Sequence, residues 1–280
     1  MPHTAQKREF LDRTARERPE YRDVLLLFRE LFAHIEGREE TTGISFAPSE
    51  ALRAERIAGG FPLLPPDSVR VDREKSLPFL SGVLGVIRKV GRAGAEDLDR
   101  MEQGFAAGDV GFATLFSAIL SRDRKPIEEI AARLGVPPSL LGFVLEIPLR
   151  TALERFAETV DAAPLAGWTE GHCPVCGSRP GMGELVGEEG RRLLSCSACS
   201  FRWPFQRIKC PFCGNEDPET LSYFTAENGP IRVGVCRKCS RYLKTRDSRQ
   251  GRADVPLEAE DLATLHLDLL AGREGFERGR

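Results

Sequence analysis

The cysteines are the residues of this chain with the clearest chemistry. All eight lie in four Cys-x-x-Cys pairs, which are Cys173/Cys176, Cys196/Cys199, Cys210/Cys213 and Cys236/Cys239. A Cys-x-x-Cys turn, here called a knuckle, directs two sulfurs at one point, so two knuckles complete a tetrahedral site of four thiolates. The sequence therefore predicts two metal ions, each bound by four cysteines.

The predicted metal is zinc or iron, because both ions are bound by four thiolates in a tetrahedron. A closed four-cysteine site leaves no coordination position for water or substrate, which argues against metal-catalysed hydrolysis and against an enzyme. Disulfide exchange is a weaker interpretation, because a redox motif of the thioredoxin type is single and follows a strand at a helix start. We therefore predict metal ligands and no catalytic residues.

The four knuckles form an internal repeat. Each repeat has a knuckle followed by glycine, then a hairpin, then a second knuckle, and the repeats begin at Cys173 and Cys210. Asn228-Gly229 is the hairpin signal of the second repeat. This order favours sequential pairing, in which the first two knuckles bind one ion and the last two bind the other. Interleaved pairing is the alternative, although it would separate each hairpin from the site that it closes.

The pattern of apolar residues changes near residue 165. Apolar residues recur at helical spacing in 20–35, 77–90 and 140–160, and a stripe of leucines follows Pro256. The predicted fold class is α+β, with an N-terminal all-helical bundle, two tandem rubredoxin-like or zinc-ribbon modules of four cysteines each, and a short C-terminal helix. The predicted bounds of these four parts are 1–165, 172–209, 210–250 and 255–276.

Composition limits the class of protein. The chain has 280 residues, with 41% hydrophobic and 29% charged residues, as globular proteins do. Its first ten residues are polar, and no apolar run near them is long enough for a signal peptide or a membrane span. We therefore expect a cytoplasmic protein without membrane insertion, in which paired cysteines bind metal rather than form disulfides.

Charge allows nucleic-acid binding as an alternative. Residues 173–252 contain 14 Lys and Arg against 8 Asp and Glu, with aromatic residues interleaved. Two four-cysteine sites that each hold a divalent ion have a net charge of −2 apiece, which cancels most of this excess. The whole chain has a net charge of −2. A nucleic-acid partner is therefore not the preferred interpretation.

Several short motifs carry a family resemblance. They are Cys173-Pro-Val-Cys-Gly-Ser178, Leu194-Ser-Cys196-Ser-Ala-Cys199, Trp203, Arg207-Ile-Lys-Cys210, Tyr242-Leu-Lys244 and Ala259-Glu-Asp-Leu-Ala263. Together they resemble the formate dehydrogenase accessory protein FdhE family, closely from about Cys173 to Phe276. Over the N-terminal half the resemblance is a helical pattern of similar length.

The resemblance implies a function. It implies a non-enzymatic cytoplasmic factor that binds the catalytic subunit of a respiratory formate dehydrogenase and is needed for its assembly or activation. It also implies a rubredoxin-like module that holds iron, with the eight cysteines as ligands. The alternatives are a rubredoxin-like iron redox protein and a nucleic-acid-binding zinc-ribbon protein.

Overall fold

The computed structural model describes residues 3–91, 93–108, 110–225, 229–250 and 255–279. It divides into two compact units. The first contains Met1–Ser49 and Leu64–Phe156, and the second contains Glu50–Leu63 and Ala157–Arg280. The predicted α+β class, with helices before two clusters of four cysteines, is confirmed. The four predicted domain bounds stay predictions, while the compact units add residues 50–63 to the C-terminal part.

Helices form most of the N-terminal part. The α-helices, in chain order, are α1 (His3–Glu17), α2 (Arg22–Ile35), α3 (Arg53–Ala58), α4 (Arg73–Val90), α5 (Ala95–Ala107), α6 (Phe112–Ser121), α7 (Lys125–Leu134), α8 (Pro138–Glu158), α9 (Leu257–Ala263) and α10 (Leu265–Arg273). Short 3-10 helices span Pro19–Tyr21, Glu39–Thr41, Glu50–Leu52, Pro66–Ser68, Ala163–Leu165 and Ser248–Gln250.

The first unit is a helical bundle built on apolar stripes. Helix α2 buries Leu25, Leu31, Phe32 and Ile35, which lie on one side of a helix with 3.6 residues per turn. It packs against α1 and α4, and α4 packs against α5. The three helices predicted from periodicity are therefore present as α2, α4 and α8, with bounds that differ by a few residues.

A helix that crosses a bilayer needs about 20 predominantly apolar residues. Among the described residues, no single helix is long and apolar enough to cross a membrane. Two sharply bent pairs of helices, α5 with α6 and α7 with α8, satisfy the criteria only when the two members of a pair are taken together.

Strands form the centre of the second unit. The strands of the chain are β1 (Ile44–Phe46), β2 (Val69–Val71), β3 (Pro180–Val186), β4 (Arg191–Cys196), β5 (Arg202–Pro204), β6 (Leu221–Thr225), β7 (Ile231–Cys236), β8 (Arg241–Asp247) and β9 (Glu277–Arg278). The first two form a small sheet in the first unit. The other seven form one sheet in the order β5-β4-β3-β8-β7-β6, with β9 beside β8.

The two repeats share this sheet. Strands β3 and β4 form the hairpin of the first repeat, and β6 and β7 form that of the second. The predicted turn residue Asn228 lies outside the described residues. Parallel pairing of β3 with β8, with Gly183 opposite Thr245, joins the repeats. The predicted tandem modules are thus present, but they form one continuous sheet.

Buried ion pairs accompany the junction between β3 and β8. Arg246 on β8 contacts Glu184 on β3 at 2.6 Å and Glu260 on α9 at 3.0 Å. Burial alone would raise the pKa of Glu184, but hydrogen bonds from Ser248 and Arg246, with the charge of Arg202, leave it below its ordinary value. The Glu184 carboxylate is therefore charged at neutral pH and holds the two repeats together.

The C-terminal helix predicted for 255–276 is broken into α9 and α10. The break lies at Thr264, whose φ of −120° and ψ of 35° are not helical. The Thr264 hydroxyl donates to the carbonyl of Glu260 at 2.8 Å. The carbonyls of Asp261 and Thr264 accept hydrogen bonds from Lys244 Nζ at 2.8 and 3.3 Å. A buried lysine therefore adds hydrogen bonds to two carbonyls at the break, which also accept hydrogen bonds from the amides of Thr264 and Leu267.

Candidate metal centres

The first cluster contains the cysteines of the first repeat. The Sγ atoms of Cys173 and Cys199 lie 3.5 Å apart, and Cys176 Sγ lies 3.4 Å from Cys196 Sγ and 3.6 Å from Cys199 Sγ. A tetrahedron with metal–sulfur bonds of about 2.3 Å has edges of about 3.8 Å, whereas a disulfide is about 2.05 Å long. The spacing and the four soft donors fit one tetrahedral ion, and all four residues are buried.

The second cluster repeats this arrangement. Sγ–Sγ distances are 3.7 Å from Cys210 to Cys239 and 3.7 Å from Cys213 to Cys236. In both clusters the four Sγ atoms lie within 4.8 Å of one another, so the knuckles group in the predicted sequential order. Burial differs, because Cys210 and Cys236 are buried while Cys239 is half-buried and Cys213 is exposed.

Local backbone geometry explains how each knuckle presents its sulfurs. Gly177 and Gly214 follow the first knuckle of each repeat with φ of 75° and 71°, values that glycine adopts without strain. Their amides donate to the carbonyls of Cys173 and Cys210 at 2.9 Å and close both turns. Ser200 and Ser240 follow the second knuckles with φ of 57° and 54°. The sequence prediction used the glycines but missed these serines, although both sit directly after a knuckle.

Burial and the short sulfur–sulfur distances shift the pKa values of the cysteines in the first cluster. Burial raises the pKa of Cys173 and of Cys199 well above its ordinary value, whereas hydrogen bonds from neighbouring thiols lower the pKa of Cys176. Four thiolates this close would repel one another unless a cation lay between them. A bound divalent ion would displace the thiol protons, so metal affinity should fall as pH falls.

Backbone amides and one side chain surround the sulfurs. The amides of Val175 and Ala198 donate to Cys173 Sγ and Cys196 Sγ at 3.4 and 3.3 Å. At the second cluster the Asn215 side chain donates to Cys236 Sγ at 3.7 Å. Such bonds stabilise thiolate charge and orient metal ligands. Asn215 was missed by the sequence reasoning, because an asparagine two residues after a knuckle has no distinctive spacing.

Residues 50–63, here called the clasp, contact the first cluster from a distant part of the sequence. The Leu63 amide donates to the Pro174 carbonyl, inside the first knuckle, at 2.8 Å. Pro62 packs on Gly177, where an added Cβ would lie 3.1 Å from its ring. The His172 ring lies 3.2 Å from the Gly60 carbonyl. His172, the residue before the first knuckle, therefore contacts the clasp.

Comparison with known proteins identifies the C-terminal part of the chain. Residues 172–207 match the family model "FdhE, central domain", and residues 208–280 match "FdhE, C-terminal domain". Residues 172–280 belong to the FdhE family. Each FdhE domain contains one of the two cysteine clusters. The resemblance noted from the sequence motifs is thereby confirmed.

The chain is also similar in sequence to individual FdhE proteins over part of their length. The chain is 37% identical over 146 residues to an FdhE homologue of Aquifex aeolicus, covering 51% of each protein. It is 32% identical over 206 residues to one of an Enterobacter species, covering 72% of this chain and 59% of that protein. The matched regions thus span about half to three-fifths of these relatives.

A solved FdhE structure shares the fold. The crystal structure of the FdhE protein from Pseudomonas aeruginosa superposes with a TM-score of 0.71 and covers 98% of this chain and 93% of that one. Sequence identity is 24%, so this likeness supports the fold alone. It extends the agreement to the helical part, which the two family domains do not include.

Proposed function

We propose that this protein is a non-enzymatic accessory factor of a respiratory formate dehydrogenase. In this proposal it acts in the cytoplasm, where it binds the catalytic subunit and is needed for assembly or activation of the enzyme. The observation that carries the proposal is the match of residues 172–280 to the two FdhE domains, each with a cluster of four cysteines.

The geometry of the clusters supports a structural role for the metal. The proposed ligands are Cys173, Cys176, Cys196 and Cys199 for one ion and Cys210, Cys213, Cys236 and Cys239 for the other. Four sulfurs would fill the coordination sphere of a tetrahedral ion, so no position would remain for a substrate. Bound metal would supply folding free energy to a sheet with a small apolar core of its own. The loaded sheet would then offer a rigid surface for docking.

Nucleic-acid binding has less support. Trp203 and Tyr242 are buried, and the Trp203 indole donates to the Glu170 carbonyl at 3.1 Å. Tyr223 is exposed, and its ring already pairs with the guanidinium of Arg232, which lies 5.0 Å from the ring centroid. Single strands are bound by stacking bases on accessible aromatic rings. These aromatic residues instead form the core and surface pairs of the sheet.

Deletion of the gene in its native host tests the proposed function. We expect formate dehydrogenase activity to be lost while transcripts of the enzyme are unchanged, and to return when the gene is restored. A tagged catalytic subunit should also retain this protein during purification. As a control, an unrelated metalloenzyme in the same cells should keep its activity. Normal formate dehydrogenase activity in the deletion strain would contradict the proposal.

Metal content after oxygen-free purification tests the ligand assignment. We expect two transition-metal ions per chain, because two complete sets of four cysteines are present. A second candidate function, electron transfer by iron, is favoured by the exposed ligand edge at Cys213. Iron with visible thiolate absorption would support it, whereas two zinc ions without iron would remove it. A reduced, folded protein without metal would contradict both assignments.

A further inference from the structure

The two clusters differ in how they meet solvent. All four cysteines of the first are buried, with Cys173 at 0% and Cys176 at 2% exposure. In the second, Cys213 is exposed and Cys239 is half-buried. We infer that the second cluster is the exchangeable metal centre of the protein, and that the clasp keeps the first centre closed. The inference rests on the metal binding included in the proposed function.

Two contacts join the clasp to the first knuckle, and two more lie within the clasp. The clasp donates a backbone hydrogen bond to Pro174, and its Pro62 packs on Gly177. Arg56 on α3 fixes this arrangement, because its Nε donates to the Pro62 carbonyl at 2.8 Å and its guanidinium lies 5.9 Å from the Phe61 ring centroid. An attacking ligand therefore reaches the first centre only after a local opening of the clasp.

The second cluster is covered on one side only. Cys210 and Cys236 are buried, and the Asn215 side chain covers the Cys236 sulfur. The other side, formed by Cys213 and Cys239, faces solvent. Both clusters consist of four cysteine side chains, but their exposure to solvent differs. A difference in their rates of reaction would therefore result from how easily a reagent in solution reaches the sulfurs.

Metal exchange at the second centre would begin at this open side. A thiol or aminocarboxylate ligand would bind an ion held by the second cluster from the side of Cys213, and the new metal–ligand bond would replace the bond from the ion to Cys213 Sγ. The released thiolate takes a proton from water, and no electrons are transferred. Small chelators and electrophiles act on accessible thiolates much faster than on buried ones. The class of ligand that would remove the ion at this site is therefore a small chelator that can reach Cys213, such as a thiol or an aminocarboxylate.

Zinc-loaded wild-type protein allows a direct test. Excess EDTA is added, and at intervals the freed cysteines are alkylated with N-ethylmaleimide and located by peptide mass spectrometry. We expect cysteines of the second cluster to be labelled at least about tenfold faster than those of the first, because buried groups wait for local opening. Equal labelling rates at the two clusters would overturn the inference. Protein that binds no zinc before EDTA is added would instead overturn the proposed metal binding.

A substitution that weakens the clasp provides a second test. Arg56→Ala removes the hydrogen bond to Pro62, and we expect labelling of the first cluster to accelerate by about fivefold, the factor that one hydrogen bond contributes. Labelling of the second cluster should not change. Arg191→Ala, at an exposed position on β4, is the matched control and should leave both rates unchanged. An Arg56→Ala protein with wild-type labelling of the first cluster would overturn the role of the clasp.

Discussion

Replacing Cys176 by serine is expected to release the ion of the first cluster and unfold the first ribbon, while the helices of the first unit persist. Cys176 is buried, and its sulfur lies 3.4 and 3.6 Å from the sulfurs of Cys196 and Cys199. Serine leaves an incomplete set of thiolates, and the free energy of metal binding, about 10–16 kcal/mol for structural zinc, contributes directly to folding of the ribbon. The substitution should therefore remove most of the ribbon's stability.

Metal analysis and amide hydrogen exchange measure this result together. The metal content should fall from two ions to one per chain, with exchange protection lost in β3 and β4 and kept in the helices. Ser197→Ala is the control, because Ser197 is exposed and lies inside a knuckle without supplying a ligand. Unchanged metal content in Cys176→Ser would contradict the assignment of Cys176 as a ligand.

The sequence predicted the chemistry of the clusters because that chemistry is local. A Cys-x-x-Cys turn specifies its own geometry, and the order of knuckles and hairpins specified the pairing later found in space. Helices such as α2 and α8 were predictable for a similar reason, since a periodic apolar stripe is a property of one segment. Each of these features depends on residues that are close in the chain.

Long-range features were not predictable in this way. The pairing of β3 with β8 brings Gly183 next to Thr245, and nothing in either strand alone specifies that partner. The clasp reaches Pro174 from Leu63 through one backbone hydrogen bond, for which no side-chain spacing exists. The helix break at Thr264 lies against Lys244, which is on another element and donates to the Thr264 carbonyl. These features follow from tertiary contacts between segments that the sequence separates widely.

Lys244 leads to the second prediction with a large expected effect. Its side chain is fully buried, and its Nζ lies 2.8 Å from Asp268 Oδ2 and 2.8 Å from Asp261 Oδ1. Arg278 contacts the same two carboxylates, so two cations neutralise two anions between β8 and the C-terminal helices. Tyr242 also donates to Asp268 at 2.8 Å, and burial with that carboxylate raises the pKa of Tyr242. Removal of one of these two cations would leave the two carboxylates with a net negative charge of one unit.

Lys244→Met is therefore expected to lower the free energy of unfolding of the second unit by about 3–5 kcal/mol, the range for breaking a buried ion pair. The substitution also removes the hydrogen bonds that Lys244 Nζ donates to the carbonyls of Asp261 and Thr264. Denaturant unfolding of metal-loaded protein measures the change, and Lys238→Met, at an exposed lysine of the same unit, should change stability by less than about 0.5 kcal/mol.

A double substitution shows whether the charge is the cause. Asp268→Asn removes the anion that Lys244 contacts at 2.8 Å while keeping most of its shape. If unbalanced charge explains the instability of Lys244→Met, adding Asp268→Asn should restore part of the lost free energy, and the two effects should be non-additive by about 1 kcal/mol or more. Additive losses would indicate that Lys244 acts mainly through the carbonyls at Thr264. In that case the break between α9 and α10, rather than the ion pairs, is what this lysine stabilises.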